Sequence, residues 1–337
     1  MFGGCLVSPH IPMKITRLLS AAALLCLAVG CANHLLCSGL VRFNTAGDGD
    51  FVLGPNYTNA PELTVRECVP PGTVHHFVMD SADSKIYPGL KGAYQRDVWV
   101  YVPNQYVAGK AAPFIVVQDG KSYTNRLPVV LDNMIYEHRL PAMIAVMVQH
   151  GGGDGKGSER GLEYDTVSDQ YTTFIETEVL PRITKEYHVK FTSNPDGRAT
   201  MGGSSGAACA FTMAWFRPDL YRRVLSYSGT FVAQESPTNP KSPHGAWEYH
   251  EHFIPESAPK PLRVWLQVGE HDNGYQRDEA SYHNWVMANE RMAAALKAKG
   301  YHYHYVFCKN ARHVDRKVVG QTLPEALEWV WRGYPIK

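Results

Sequence analysis

The sequence predicts an α/β fold: a central, mostly parallel sheet with helices on both faces. Three observations predict it. Short apolar runs of strand length alternate with longer helical stretches through the second half of the chain. The segment Gly202-Gly203-Ser204-Ser205-Gly206 turns one of those runs into a helix rich in small residues. Beyond it, an acid and a histidine stand just past the ends of later strands, the edge at which open α/β sheets bind ligands.

The 337 residues are 45% hydrophobic with a formal net charge of +1, which suits one large domain with appendages. That near-neutral balance gives no electrostatic case for nucleic acid or for an anionic membrane surface. No internal repeat, heptad run or low-complexity tract is visible.

The N-terminus reads as an export leader over residues 1–31. Lys14 and Arg17 precede the apolar run Leu18 to Gly30, which has the length of a signal core and is too short to span a bilayer. Met13 reads as the natural start. Ala28-Val29-Gly30-Cys31 offers a lipoprotein cleavage site with Cys31 as lipidated residue, and ordinary signal cleavage nearby is the alternative. The expected location is therefore extracytoplasmic, with membrane attachment only through Cys31. Residues 32–61 are polar and rich in Gly, Asn and Asp, the composition of a linker or arm, and residues 62–337 form the catalytic domain.

Within that body, Thr73 to Met79 and Asp97 to Val102 alternate as half-buried strands. Pro113 to Val117 and Ala142 to Val148 are continuous apolar runs, as expected of strands buried on both faces. Arg126 to His138 is helical, and Asp165 to Tyr187 is a long helical stretch that Pro181 can kink. Arg198 to Met201, Arg223 to Ser226, Leu262 to Val268 and Tyr301 to Phe307 are further strands. Glu279 to Lys299 and Leu323 to Arg332 are further helices. Of the seven cysteines, Cys209 and Cys308 read as small buried residues, and Cys37 with Cys68 is a candidate disulfide in an oxidising compartment.

Gly202-x-Ser204-x-Gly206 has the pattern of a nucleophile elbow, where a sharp turn exposes one serine and its neighbours two positions away must lack side chains. Ser205 fits the pattern less well. Serine needs a base, and the α/β-hydrolase chain order is serine, acid, histidine. The strand Leu262 to Val268 leads into Gly269-Glu270-His271-Asp272. The strand Tyr301 to Phe307 leads into Cys308-Lys309-Asn310-Ala311-Arg312-His313. The expected triad is Ser204, Asp272 and His313, with Glu270 as the other candidate acid. The oxyanion hole needs two N–H donors. One is expected from Ser205, the other from Lys121 or Gly120 after the third strand of the fold. His150-Gly151-Gly152-Gly153 is the competing loop if the strand count shifts by one. His250, His252 and His271 lack the spacing of a metal site, so no metal and no cofactor is expected.

The chain resembles the enterochelin esterase-like family, the esterase D or feruloyl/acetyl-esterase type of α/β hydrolase. The resemblance runs over roughly residues 70–335. It is carried by FIVVQDG, Arg160 to Asp165, FIETEVLPRITKEY, MGGSSGAACAFTMAWFRPDLYRRVLSYSG, LQVGEHD, NERMAAALKAKGY and the final ARH. It implies a serine carboxylic-ester hydrolase acting on feruloyl or acetyl sugar esters or on catechol siderophore esters. Ala207 follows Gly206 where many members have a second glycine, and the acid-bearing loop varies in the family. The partner implied is a small-molecule, oligosaccharide or phenolic ester. A non-catalytic binding protein and an acyltransferase using the same triad are the alternatives. Arg160, Trp247 and Tyr249 are candidates to line the substrate site, and Arg160 and Glu163 to pair as a clamp beneath it.

Overall fold

A computed structural model describes residues 47–336. The chain divides into two units, residues 1–44 and 45–337, and the described residues all belong to the second. The expected leader, the lipidation position Cys31 and the half-cystine Cys37 lie outside the described residues, whereas Cys68 is exposed.

Among the described residues eleven strands form: β1 (Gly49–Leu53), β2 (Thr73–Asp80), β3 (Gln95–Val102), β4 (Ala111–Ala112), β5 (Phe114–Gln118), β6 (Ile144–Val148), β7 (Lys190–Phe191), β8 (Arg198–Gly203), β9 (Arg223–Tyr227), β10 (Arg263–His271) and β11 (His302–Arg312). Nine make one sheet in the order β1-β11-β10-β9-β8-β5-β6-β3-β2, while β4 and β7 pair separately. All neighbours from β1 to β6 in that order run parallel; β3 and β2 add the antiparallel end. The centre is apolar for the physical reason the sequence suggests. β5, β6, β8 and β9 are buried at every residue, so both faces need apolar side chains.

The helices are α1 (Leu127–Tyr136), α2 (Glu159–Tyr164), α3 (Gln170–Phe174), α4 (Leu180–Tyr187), α5 (Ser205–Phe216), α6 (Ile254–Glu256), α7 (Trp285–Ala298) and α8 (Arg316–Val330). α5 lies on β5, β8 and β9 and touches α2 and α3; α8 lies on β9 and β10 and touches α1. Between α3 and α4 the backbone takes a π turn over Ile175–Val179, so the expected single long helix is three joined segments. Pro181 is the second residue of α4, directly after the π turn.

Two expectations need correction. The arm assigned to residues 32–61 ends earlier than proposed, because Gly49–Leu53 is edge strand β1, paired with β11 from Gly49↔His304 to Leu53↔Cys308. Phe51 anchors it by stacking on His304, whose other face meets Trp265. β11 is also longer than expected and runs on to Arg312, which places His313 immediately beyond its end.

Candidate active site

Ser204 sits between β8 and α5 with φ 57° and ψ −128°, a conformation that costs an L-residue roughly 1–3 kcal/mol. The flanking glycines explain how the turn closes. A Cβ on Gly202 would come within 2.4 Å of the Gly206 backbone, and one on Gly206 within 2.7 Å of Asp119 Oδ2. Two bonds pin the turn: Ser204 N–H donates to Tyr227 O at 2.9 Å, and Thr230 N–H donates to Ser204 O at 3.1 Å. Ala207, Ala208 and Ala210 are buried, which lets α5 approach the sheet.

His313 Nε2 lies 2.9 Å from Ser204 Oγ, and His313 Nδ1 lies 2.5 Å from Asp272 Oδ1. A carboxylate can only accept, so Nδ1 carries the proton and Nε2 of the neutral ring is left to accept from the serine hydroxyl. Asp272 is buried and its oxygens are occupied from several sides. Ser228 Oγ donates to Oδ2 at 2.6 Å, Asn273 N–H donates to Oδ1 at 2.7 Å, and Gly269 N–H approaches Oδ2 at 3.4 Å. Glu270, the other candidate acid, instead accepts from Asn310 N–H at 2.7 Å and does not face the imidazole.

Sequence reasoning passed over the residues that hold this relay. Ser228, at φ 51°, bridges two loops by also accepting from Val314 N–H at 3.0 Å. Thr230 Oγ1 stands 3.3 Å from Ser204 Oγ and accepts from Trp285 Nε1 at 3.2 Å. The Trp285 ring also meets His313 edge to face, at 6.2 Å between centroids. Asn289 Nδ2 ties the Gly229 carbonyl at 2.9 Å. Ser228 and Thr230 fall inside the strand-end sequence SYSGT, and their position past β9, next to β8, is the signal that marks them.

The loop after β5 adjoins the elbow because β5 is the immediate neighbour of β8. Asp119 there has φ 54°, and Gly120 is pressed against the Met147 backbone, 2.5 Å from where a Cβ would stand. Lys121 N–H points to Gln149 Oε1 at 3.2 Å. Ser205 is the first residue of α5, so no carbonyl within the helix accepts its N–H. The glycine loop after β6 is otherwise engaged: Gly151 N–H donates to Glu163 Oε1 at 3.0 Å and Gly152 N–H to His150 Nδ1 at 2.9 Å.

Three substrate-lining expectations are corrected. Trp247 and Tyr249 are fully buried. Trp247 packs against His250 and Tyr282, and Tyr249 packs into Phe211 and Trp215 and donates to Thr212 Oγ1 at 2.7 Å. Arg160 is also buried, its guanidinium spent on both oxygens of Asp119 at 2.9 and 2.8 Å and on Asp154 at 2.7 Å. It braces Asp119 against Gly206 and does not pair with Glu163. Glu163 instead accepts two hydrogen bonds from the buried Arg96 guanidinium, at 2.7 Å each. Burial lowers the His150 imidazole beside this clamp, although the Asp119 charge opposes the shift.

Asp165 lies under the elbow. Gln234 Nε2 donates to its Oδ2 at 3.0 Å and to Ser205 Oγ at 3.3 Å, while Oδ1 is buried without a partner. Burial pushes this carboxyl up to about 7. Among the described residues, His244, Glu248 and Glu251 place ligand-type atoms within 4.8 Å of one another, but His244 Nδ1 is already bonded to Glu248 at 2.9 Å.

A family model described as "Putative esterase" matches residues 93–329, most of the chain. The chain belongs to the esterase family. No curated protein matches it. Among solved structures it is similar to the enterobactin esterase FES from Shigella flexneri, in the presence of enterobactin, with TM-score 0.59 and 18% identity. That alignment covers 81% of this chain and 63% of the Shigella protein, so this chain spans less than two thirds of that relative's length. It is also similar to the CE1 ferulic acid esterase AmCE1/Fae1A from Anaeromyces mucronatus, with TM-score 0.57 and 15% identity, covering 81% and 96% of the two chains. At such identities the likeness is one of fold, and the esterase-family chain shares with both an α/β-hydrolase sheet.

Proposed function

We propose that the chain hydrolyses carboxylic esters through an acyl-enzyme on Ser204. Ser204 Oγ attacks the ester carbonyl carbon while its proton passes to His313 Nε2, and Asp272 steadies the imidazolium that forms. The oxyanion takes the Ser205 N–H and, once Gln149 is displaced, the Lys121 N–H, with Gly120 shaping the loop. The C–O bond to the alcohol then breaks, and His313 returns its proton to the leaving oxygen. Water, deprotonated by the same imidazole, attacks the acyl carbon and frees the acid and Ser204. The single observation that supports this reading most is the Ser204–His313–Asp272 chain of contacts at 2.9 and 2.5 Å on a strained elbow.

We infer a phenolic acyl ester as substrate, supported by the enterobactin and ferulic acid named for the similar structures. An extracytoplasmic site of action rests on Lys14, Arg17 and the apolar run that follows, with cleavage near Cys31 or lipidation on it. The test is turnover of p-nitrophenyl acetate. Ser204→Ala is expected to lose about a thousandfold or more in kcat with an unchanged unfolding midpoint. Retained turnover removes Ser204 from the mechanism. A panel of feruloyl, acetyl-sugar and catechol esters is expected to rank both phenolic classes above acetate in kcat/KM, and the reverse order rejects the substrate class.

A further inference from the structure

The opposite edge of the sheet holds a second concave site. A cavity of about 500 Å³ opens at the N-terminal ends of β8 to β11 and is closed on one side by the segment after α8. The Ser204 site lies at the other ends of these strands, and β9 alone, five residues long, separates the two edges by about 17 Å. Among the described residues, the cavity wall carries the cations Arg222, Arg223, Lys260, Arg263 and Arg332 and the carboxylate of Asp196.

Of these, Arg223 and Lys260 have no acid among their partners in the described residues, and Arg222 and Arg263 meet theirs only at 3.3 and 3.6 Å. Arg223 is 7% exposed, yet its hydrogen bonds go to backbone carbonyls. Its Nε donates to Asp196 O at 2.5 Å, and its Nη1 donates to the carbonyls of Val330 and, at 3.0 Å, Arg332. Arg263 Nη1 is buried without a hydrogen-bond partner, with Asp48 Oδ1 at 3.6 Å. Arg222 Nη1 reaches both Asp196 oxygens only at 3.3 Å. Lys260 Nζ rests over the Trp215 ring at 4.6 Å. Burial, and then the Arg263 charge, push the Arg223 guanidinium down to about 10. Burial also lowers Arg263; Asp48 opposes that shift and Arg332 adds to it.

We propose that this cavity binds a phosphate-type oxyanion, the group whose planar pairs of oxygens match the guanidinium fork and whose charge relieves the crowding of Arg223 and Arg263. The site is independent of the role of Ser204. Calorimetric titration of the full chain with pyrophosphate at low ionic strength is the test. Saturable binding is expected, weakening as NaCl is raised. Arg263→Gln is expected to weaken it about tenfold, and Asp196→Asn to tighten it about threefold, since that change removes the wall carboxylate that competes for Arg222. The gain in Asp196→Asn cannot arise from misfolding, and unfolding midpoints control for it in Arg263→Gln. Phosphatidylglycerol vesicles separate the sources of the group: sedimentation with vesicles that pyrophosphate reverses assigns it to a lipid headgroup, and pyrophosphate binding without sedimentation assigns it to a soluble molecule. No heat with millimolar pyrophosphate, or equal affinity in the wild type and both variants, overturns the proposal.

Discussion

Glu270 is the next-to-last residue of β10 and Asp272 the first residue beyond it, and they meet different partners. Asp272 turns inward to His313 and collects Ser228 and Asn273, while Glu270 turns to the Asn310 N–H. The sequence favours Asp272 because it lies further out from the strand end, where the chain can turn back, but Glu270 is also a carboxylate near that end and stays a candidate. What separates them is the direction of the chain after the bulge between Gly269 and His271, which no local pattern reports. The mechanism proposed above requires the two to differ in rate. Asp272→Asn is expected to lower kcat for p-nitrophenyl acetate by about a hundredfold to ten-thousandfold, whereas Glu270→Gln stays close to wild type. The reverse pattern in steady-state kinetics names Glu270 as the acid. Ser204 and His313 were legible for a different reason. The glycines around Ser204 answer a steric need of the backbone, and His313 follows directly from the end of a strand. Trp247 and Tyr249 were misread because an aromatic on a long loop looks the same in sequence whether it faces a ligand or the core. Here the loop folds back: Tyr249 fills the space beside Phe211 and Trp215, and Trp247 packs against His250 and Tyr282.

At the scale of elements, continuous apolar runs were readable because a parallel strand buried on both faces can be built from little else. β5 and β6 follow that rule, whereas β8 and β9, buried as fully, include the polar residues Arg198, Thr200, Arg223 and Ser226. β1 was not readable. Its sequence GDFVL is half exposed, and its place at the sheet edge comes from pairing with β11, some 250 residues away. The π turn at Ile175–Val179 was likewise invisible, since its composition is that of an ordinary helix. The elbow is the element on which the site depends. Its closure leaves no room at Gly202, where a Cβ would sit 2.4 Å from backbone atoms of Gly206 that cannot rotate away. Gly202→Ala is therefore expected to cost about 3 kcal/mol in urea unfolding and to reduce ester turnover together with stability. A variant with wild-type stability and rate contradicts the geometry of the turn.

At the scale of the whole molecule, Asp165 contributes a pH dependence, alongside Glu325, which burial also pushes up to about 7. Asp165 is held up to about 7 by burial, with Gln234 and Ser205 only partly offsetting it. A raised carboxyl binds its proton more tightly folded than unfolded. Its stability contribution is full below about pH 4, falls as pH rises toward 7, and stays reduced above that. Asp165→Asn is expected to raise the unfolding midpoint more at pH 8 than at pH 5, and an equal shift at both rules out an ionisable Asp165. The same sheet thus separates two chemistries: a serine–histidine–carboxylate relay at one edge and a basic cavity at the other. The first is the central claim, and covalent labelling tests it most directly. Incubation with a fluorophosphonate, followed by intact and peptide mass measurement, is expected to add one phosphonyl group per chain, on Ser204, and to add none in Ser204→Ala. No adduct on a folded wild-type chain, or an adduct that persists in Ser204→Ala, contradicts the account.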